Sequence, residues 1–169
     1  MIRMDKMTLM TQEALQKAQS LAMDHSHQQV DIEHALLTML GQDQNVVGPV
    51  LQKLGVNIES LANDLAGELA KMPKVSGISS DQIYMAPRLS AALELAQAEA
   101  ERMQDQYVST EHLLIAAMED KGPAGDILRA QGATKDGVLK ALQEIRGGQR
   151  VTDQNPESTY DALKQYATD

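Results

Sequence analysis

Apolar residues recur along most of this chain at the three- and four-residue spacing of amphipathic helices, and glycine, proline and polar stretches interrupt that spacing. The pattern predicts two groups of four short helices. The first group covers residues 9–24, 32–40, 46–54 and 58–71, and the second covers 88–103, 110–119, 125–131 and 135–145. Ala and Leu dominate the apolar residues, and Phe and Trp are absent, which also favours helices over strands. We therefore predict an all-α fold.

The two groups of helices are copies of one unit. Residues 14–22 align with residues 92–100, and the same offset places residues 30–36 over residues 108–114. A third match, displaced by one position, relates residues 51–65 to residues 128–142. Four short helices cannot bury their apolar faces alone, so we expect the two units to pack about a pseudo-two-fold axis in one domain of about eight helices.

Equivalent positions of the two units carry equivalent helix-boundary residues. Asp31 and Ser109 precede the second helix of each unit and can accept hydrogen bonds from its free N–H groups. Gly55 and Gly132 follow the third helices, where a left-handed backbone conformation closes a helix. The predicted caps of the fourth helices are Asn57 and Thr134.

The repeat defines the organisation of the chain. We assign residues 1–146 to one domain, with repeat one at 8–71, a connector at 72–86 and repeat two at 87–146. Residues 147–169 are predicted to be a linker and the start of a further module, because a new helical stretch begins at Tyr160–Tyr166. A short tail helix that folds back onto the domain would give the same pattern.

Composition narrows the function classes. The chain has 169 residues and no cysteine, which excludes disulfides and thiolate nucleophiles. Lys and Arg number 15 against 24 Asp and Glu, and the net charge of −9 argues against nucleic acid and anionic membranes as partners. No apolar run resembles a signal peptide or a membrane span, so we expect a cytoplasmic location.

Two Glu-His pairs are the strongest candidates for chemistry. Glu33-His34 and Glu111-His112 occupy equivalent positions, and a metal-dependent hydrolase using both histidines is one hypothesis. Neighbouring residues of a helix point about 100° apart, so the structural interpretation is favoured, with each Glu at the positive end of the helix dipole and each His packing or capping nearby. We predict no metal site and expect His25 and His27 to be solvated.

Other catalytic motifs are missing from the sequence. It contains neither a phosphate-binding Gly-x-x-x-x-Gly-Lys-Ser/Thr loop nor a Gly-x-Ser-x-Gly nucleophile motif. We therefore predict that this stretch of chain is not an enzyme and needs no cofactor. A methionine cluster at residues 1, 4, 7 and 10 has two interpretations: a flexible leader that packs on the body, which we favour, or the adaptable lining of an apolar groove.

Motifs spread over nearly the whole chain resemble the N-terminal repeat domain of the Clp ATPases, and within that family the disaggregases. The motifs are Met7-Thr8, Ala14-Leu15-x-x-Ala18-Gln19, the two Glu-His-x-Leu helix starts, Leu54-Gly55, Ile127-Leu128-x-x-x-Gly132-Ala133, Arg146-Gly147-Gly148 and the stretch Tyr160–Tyr166. The resemblance implies a domain that binds exposed apolar segments of unfolded or aggregated polypeptide above a hexameric ATPase ring. ATP and Mg²⁺ would then belong to ATPase modules outside this fragment, which we expect to be a monomer in isolation.

The resemblance also implies site residues. In the family an apolar groove is flanked by polar residues that match Thr8, Asp105 and Glu111, although each also has an ordinary interpretation, as a helix cap, a solvated loop charge and a dipole partner. Thr11 departs from the large apolar residue of relatives, and Tyr107 offers a rigid apolar contact with a hydroxyl group. The predicted substrate-binding residues are Thr8, Thr11, Leu15, Leu93, Asp105, Tyr107, Glu111 and His112.

A second function remains open at this point. The resemblance also allows an adaptor-docking N-terminal domain of a different Clp ATPase, or a free-standing Clp N-domain protein. Whether a folded partner binds at a different face from unfolded chains would discriminate the two functions.

Overall fold

Residues 3–157, which a computed structural model describes, form eight α-helices in two units. The helices of the first unit are α1 (Leu9–Asp24), α2 (Ile32–Leu40), α3 (Val47–Lys53) and α4 (Ile58–Lys71). Those of the second are α5 (Pro87–Arg102), α6 (Thr110–Met118), α7 (Pro123–Ala130) and α8 (Lys135–Arg146). The all-α prediction is confirmed. Pro87 and Pro123 begin their helices earlier than predicted because the fixed φ of proline suits the first turn. The predicted helix at Tyr160–Tyr166 lies outside the described residues.

Two short parallel pairings join the units. Strand β1 (Gln29–Val30) pairs with β2 (Tyr84–Met85), and Met7 forms an isolated parallel bridge with Val108. The repeat offset relates Met7 to Met85 and Val30 to Val108. Each unit therefore pairs the segment before its own first helix with the segment before the second helix of the other unit. This exchange lies at the pseudo-two-fold axis.

The predicted caps of the fourth helices and the glycines after the third helices are present. Asn57 and Thr134 accept hydrogen bonds from the first turns of α4 and α8. Gly55 and Gly132 have φ angles of 80° and 94°, the left-handed conformation that glycine adopts without steric cost. The sequence did not predict the ordered end of the connector, where Ser80–Gln82 forms a 3-10 turn directly before β2.

One apolar core runs through both units. All nine residues of α6 are buried, and α6 packs against α5 and α7 of its own unit and against α2 and α3 of the other. Further contacts between α3 and α8 and between α4 and α7 close the interface. Since neither unit covers its apolar face without the other, the two fold as a single body. None of the helices within residues 3–157 has the length and apolar content that crossing a bilayer requires.

An arginine between the units adds a polar link at the edge of this core. The Arg88 guanidinium, at the start of α5, donates to Asp31 at 2.9 Å and to Glu33 at 3.2 Å, both at the start of α2. It also donates to Asp120, just after α6, at 2.6 Å. One cation thus joins the beginning of α5, the beginning of α2 and the end of α6.

A substitution at Gly125 tests how closely α7 packs on the loop that follows α6. A Cβ atom at Gly125 would lie 1.9 Å from the backbone oxygen of Asp120, whereas a Cβ atom at Gly67 of α4 would meet nothing within 4 Å. We expect Gly125→Ala to lower the free energy of unfolding by about 2–3 kcal/mol, because backbone must move. The control Gly67→Ala should raise it by about 0.5–1 kcal/mol by favouring the helix. Urea denaturation measures both, and equal stability of the two variants would contradict the packing described.

Candidate functional site

An open apolar groove lies between the first helices of the two units. Its volume is about 230 Å³. Helices α1 and α5 form two walls, the residues before α1 form the rim, and the β1–β2 pair completes the lining. The lining residues are Met4, Met7, Leu15, Gln16, Gln19, Val30, Ile83, Tyr84, Met85, Leu89 and Leu93.

The groove follows the pseudo-two-fold axis. Met7 and Met85 are equivalent positions of the two units, and so are Leu15 and Leu93. Each pair contributes one side chain from each unit. The packing that brings the repeats together therefore also creates the groove.

Adaptable and partly exposed side chains form the rim. Met4 and Tyr84 are 44% and 49% exposed, and the Tyr84 hydroxyl accepts a hydrogen bond from Gln29 Nε2 at 2.7 Å. Methionine side chains are unbranched and polarisable, so they conform to ligands of different shape. Met4 and Met7 of the predicted methionine cluster line the groove, Met10 does not, and Met1 lies outside the described residues.

Two predicted site residues lie directly behind the groove. Thr8 caps α1 by accepting the N–H of Thr11 at 3.2 Å, and the two hydroxyls are 2.8 Å apart. The Thr11 hydroxyl donates to the backbone oxygen of Val108 at 3.0 Å. Both threonines are fully buried. A threonine at position 11 therefore ties the start of α1 to the second unit, where a large apolar residue has no such bond to make.

Three further predicted residues form a buried charged cluster with an unpredicted partner. Arg146 Nη1 donates to Asp105 at 3.0 Å, and Arg146 Nη2 donates to Glu111 at 2.7 Å. The backbone N–H of Ser109 donates to His112 Nδ1 at 2.8 Å, which leaves Nε2 as the donor to Asp105 at 2.7 Å. The interpretation of Asp105 as a solvated loop charge is wrong, because its side chain is fully enclosed between the imidazole and the guanidinium.

The cluster keeps its carboxylates ionised despite their burial. Burial by itself raises the pKa of Asp105, but the hydrogen bond from His112 and the positive charge of Arg146 outweigh it, and the pKa falls below its usual value. The pKa of Glu111 is lowered against burial in the same way, chiefly by Arg146. Two carboxylates and one guanidinium thus form a compact ionic cluster inside the second unit.

The first unit has different chemistry at the equivalent positions. His27 replaces Asp105, and its Nδ1 lies 2.9 Å from His34 Nε2. His34 Nδ1 accepts the backbone N–H of Asp31 at 2.9 Å, as His112 does for Ser109. The expectation that His27 is solvated is wrong, because it is 2% exposed and packed against His34.

The histidines cap helices, which confirms the structural interpretation. Both ring nitrogens of His34 and of His112 are engaged in these hydrogen bonds, so neither ring offers a free lone pair for a metal. Within residues 3–157 no cluster of three or more His, Asp or Glu side chains is arranged to hold a metal ion.

A second, more polar cavity of about 440 Å³ lies where the first unit meets the second, beside the end of α4 and the starts of α2, α5 and α7. Charged side chains line much of it, in contrast to the groove. They include Asp31, Glu33, Glu68, Lys71 and Arg88. Burial and the neighbouring Asp31 raise the pKa of Glu33, although Arg88 opposes the shift.

The comparisons with known proteins identify the family. The model of the Clp repeat (R) N-terminal domain matches residues 6–131. This chain belongs to the Clp N-terminal repeat domain family. Chaperone protein ClpB of Bacillus cereus is 42% identical over 168 residues, which is 98% of this chain and 19% of that protein. Chaperone protein ClpB of Vibrio vulnificus is 37% identical over 168 residues, with 99% and 20% covered. The chain thus spans about a fifth of the length of these relatives.

Solved structures show the same Clp N-terminal fold. The Hsp104 N-terminal domain of Candida albicans superposes with a TM-score of 0.78 at 20% identity, over 90% of this chain and 99% of that chain. The N-domain of ClpV in its complex with a VipB peptide gives a TM-score of 0.66 at 17% identity, over 87% and 91% of the two chains. At these identities the likeness establishes the fold alone.

The predicted residues of this Clp N-terminal domain divide into three places. Leu15 and Leu93 line the groove, whereas the two threonines and the three residues of the charged cluster are buried and do not line it. Tyr107 is half-buried on the loop before α6 and lies outside the groove lining. Direct contact of these residues with a substrate stays a prediction.

Sequence reasoning missed the groove residues that come from the connector. These are Ile83, Tyr84 and Met85. The available signal was the repeat itself, since the offset that aligns the helices also pairs Met85 with Met7.

The charged cluster gives a stability prediction. Arg146→Ala leaves Asp105 and Glu111 buried without their cation, and we expect a loss of about 3–5 kcal/mol in the free energy of unfolding. Arg150→Ala is the matched control, because Arg150 is exposed and its Nη1 donates to the Met103 backbone oxygen at 3.1 Å. The control should lose less than about 1 kcal/mol. Urea denaturation at pH 7 compares the two, and a similar loss in both variants would contradict the role of the cluster.

The histidine pair predicts a pH dependence. Burial, with the His27 and His25 rings nearby, lowers the pKa of His34 from 6.5 to about 4. Between pH 6.5 and pH 4, His34 binds a proton in the unfolded chain but not in the folded chain. The free energy of unfolding therefore falls as the pH decreases. From pH 6.5 to 5 the titration of His34 lowers the free energy of unfolding by about 2 kcal/mol.

His34→Gln isolates that contribution. A glutamine side chain at this position can still accept the N–H of Asp31, but it does not titrate. We expect a smaller decrease in stability between pH 6.5 and 5 than in the unsubstituted chain, measured by urea denaturation. His25→Gln should keep most of the original slope, because the His25 ring is a smaller cause of the lowered His34 pKa than burial and His27, and an unchanged slope in His34→Gln would rule out His34 as its source.

Proposed function

We propose that this chain is the substrate-engaging N-terminal domain of a ClpB-type disaggregase and that it binds exposed apolar segments of unfolded or aggregated polypeptide. The observation that carries the proposal is the groove on the pseudo-two-fold axis, which is apolar, open to solvent and partly lined by methionine. The similarity of this chain to ClpB chaperones, over almost its whole length, supports the same function.

The dimensions of the groove suit a short apolar segment. A volume of about 230 Å³ is below the range of roughly 300–1,000 Å³ that is common for small-molecule sites. It has room for one or two apolar side chains, and the neutral polar groups of Gln16 and Gln19 border them. Such a site binds many sequences weakly, and we expect micromolar affinity, near −8 kcal/mol.

The proposal also covers the ATPase modules of the disaggregase, which lie outside this chain. The relatives are about five times longer than this chain, so we place ATP and Mg²⁺ binding in ATPase modules outside it and assign no catalysis to the domain itself. A hexameric ring would present six grooves close together, and the resulting effective concentration would compensate for weak single contacts.

Docking of a defined partner is the second candidate function. The distant structural relative ClpV was solved with a VipB peptide on its N-domain, which shows that this fold also serves a specific partner in that protein. On this chain the charged cavity beside Asp31 and Arg88 offers a separate surface for such a partner. Binding that is insensitive to substitutions in the groove would support this candidate.

Leu15 and Leu95 provide a matched test of the groove. Both are leucines on the surface of the first helix of a unit, but Leu15 lines the groove and Leu95 is 43% exposed outside it. We expect Leu15→Gln to weaken binding of fluorescently labelled, reduced and carboxymethylated α-lactalbumin by about five- to tenfold, since part of a leucine contact is lost. Leu95→Gln should bind within about twofold of the unsubstituted chain.

Fluorescence anisotropy measures the affinities, and circular dichroism checks that both variants fold. Equal affinities of the Leu15→Gln variant, the Leu95→Gln variant and the unsubstituted chain would remove the groove assignment.

A further inference from the structure

The stretch that follows α8 lies against the folded body. We call residues 149–157 the strap. Val151 is completely buried, and Pro156 and Glu157 are also buried, although most residues between them are exposed. The strap ends the part of the chain that the structure describes, and it contacts the body through both of its ends.

The strap is held first by the loop before α6. The backbone N–H of Val151 donates to Asp105 Oδ1 at 2.9 Å, and the Val151 oxygen accepts the N–H of Gln106 at 2.7 Å. Asp105 is itself fixed by His112 and Arg146. The buried charged cluster therefore presents one carboxylate oxygen to the strap.

The strap is held a second time by the segment before α1. The backbone N–H of Leu9 donates to the Gln154 oxygen at 2.8 Å. The Gln154 side chain donates in return to the backbone oxygens of Met7 at 3.2 Å and Asp5 at 3.3 Å. This second attachment is to the leading segment, residues 4–9, whose Met4 and Met7 side chains line the groove.

The leading segment has few other attachments near its start. Gln12 Nε2 donates to the backbone oxygens of Met4 and Met7, each at 3.0 Å, and the bridge to Val108 fixes Met7. Residues 3–6 are exposed. Undocking of the strap would remove three of the hydrogen bonds that position this rim of the groove, without touching the groove itself.

We propose that strap docking and groove occupancy are coupled, with Gln154 as the positioning residue. The docked strap holds the leading segment where Met4 and Met7 complete the groove, and an apolar segment in the groove favours the docked strap to the same extent, because coupling free energies are reciprocal. The coupling rests on the proposed function. It makes the position of the strap sensitive to whether the groove is filled.

A substitution at Glu157 is expected to favour docking of the strap rather than to weaken it. Its carboxylate is buried, one of its oxygens has no hydrogen-bond partner among residues 3–157, and burial together with Glu111 and Asp153 raises the pKa of Glu157 to about 7. A charge at this position opposes docking of the strap. Glu157→Gln removes the charge and should favour the docked state.

The test uses the whole 169-residue chain at pH 7.5 and labelled, reduced and carboxymethylated α-lactalbumin as the probe. We expect Gln154→Ala to weaken probe binding by about fivefold and Glu157→Gln to strengthen it by about twofold. Thr152→Ala is the control, because Thr152 is an exposed residue of the same strap, and its affinity should be unchanged. Gln154 does not line the groove, so an effect on affinity has to pass through the leading segment.

Amide hydrogen exchange followed by NMR supplies the reciprocal measurement. Saturating probe should slow exchange at the N–H groups of Leu9 and Val151 by about fivefold in the unsubstituted chain, and by less in Gln154→Ala. Equal probe affinity in all variants together with unchanged exchange at Val151 would overturn the coupling and leave the proposed function standing. Failure of the unsubstituted chain to bind the probe would overturn both.

Discussion

The pairing of the two repeats across their pseudo-two-fold axis is the constraint on which the rest of the structure depends. Each unit of four short helices exposes more apolar surface than it can cover, and the fully buried α6 has no place in an isolated unit. The exchange of leading segments, with Met7 beside Val108 and Met85 beside Val30, fixes how the units meet. Because the axis runs between α1 and α5, the same pairing leaves the apolar groove there.

The scaffold is repeated, but the polar chemistry inside it is not. In both units a histidine at the third position of the second helix accepts the backbone N–H of the residue that precedes the helix. That residue is Asp31 in the first unit and Ser109 in the second. The partner of that histidine differs, since His27 occupies the place that Asp105 has in the second unit. Only the second unit adds Arg146, and with it an ionic cluster that reaches the strap. The symmetric part therefore maintains the fold, and the asymmetric part gives the two units different buried polar chemistry.

This arrangement changes how the polar residues near the groove are understood. A carboxylate held between a guanidinium and an imidazole is poorly placed to contact a polypeptide, but it is well placed to fix backbone that does. Asp105 fixes the strap, and Thr11 fixes the start of α1 against Val108. Loss of either group is expected to disturb the groove walls from behind, and so polar residues can matter for an apolar ligand without touching it.

The sequence by itself determined the helices, their caps and the repeat, because spacing of apolar residues and capping by Asn57 or Thr134 are local properties of the chain. Leu15 and Leu93, two of the residues predicted from the sequence to bind substrate, line the groove, and their contact with a substrate stays a prediction. Only the tertiary structure decided the environment of the charges. His27 and Asp105 occupy loops whose local pattern is that of solvated residues, and their burial results from partners, His34 and Arg146, that come from other helices. Burial and long-range ion pairing arise from packing, which spacing along the chain does not record.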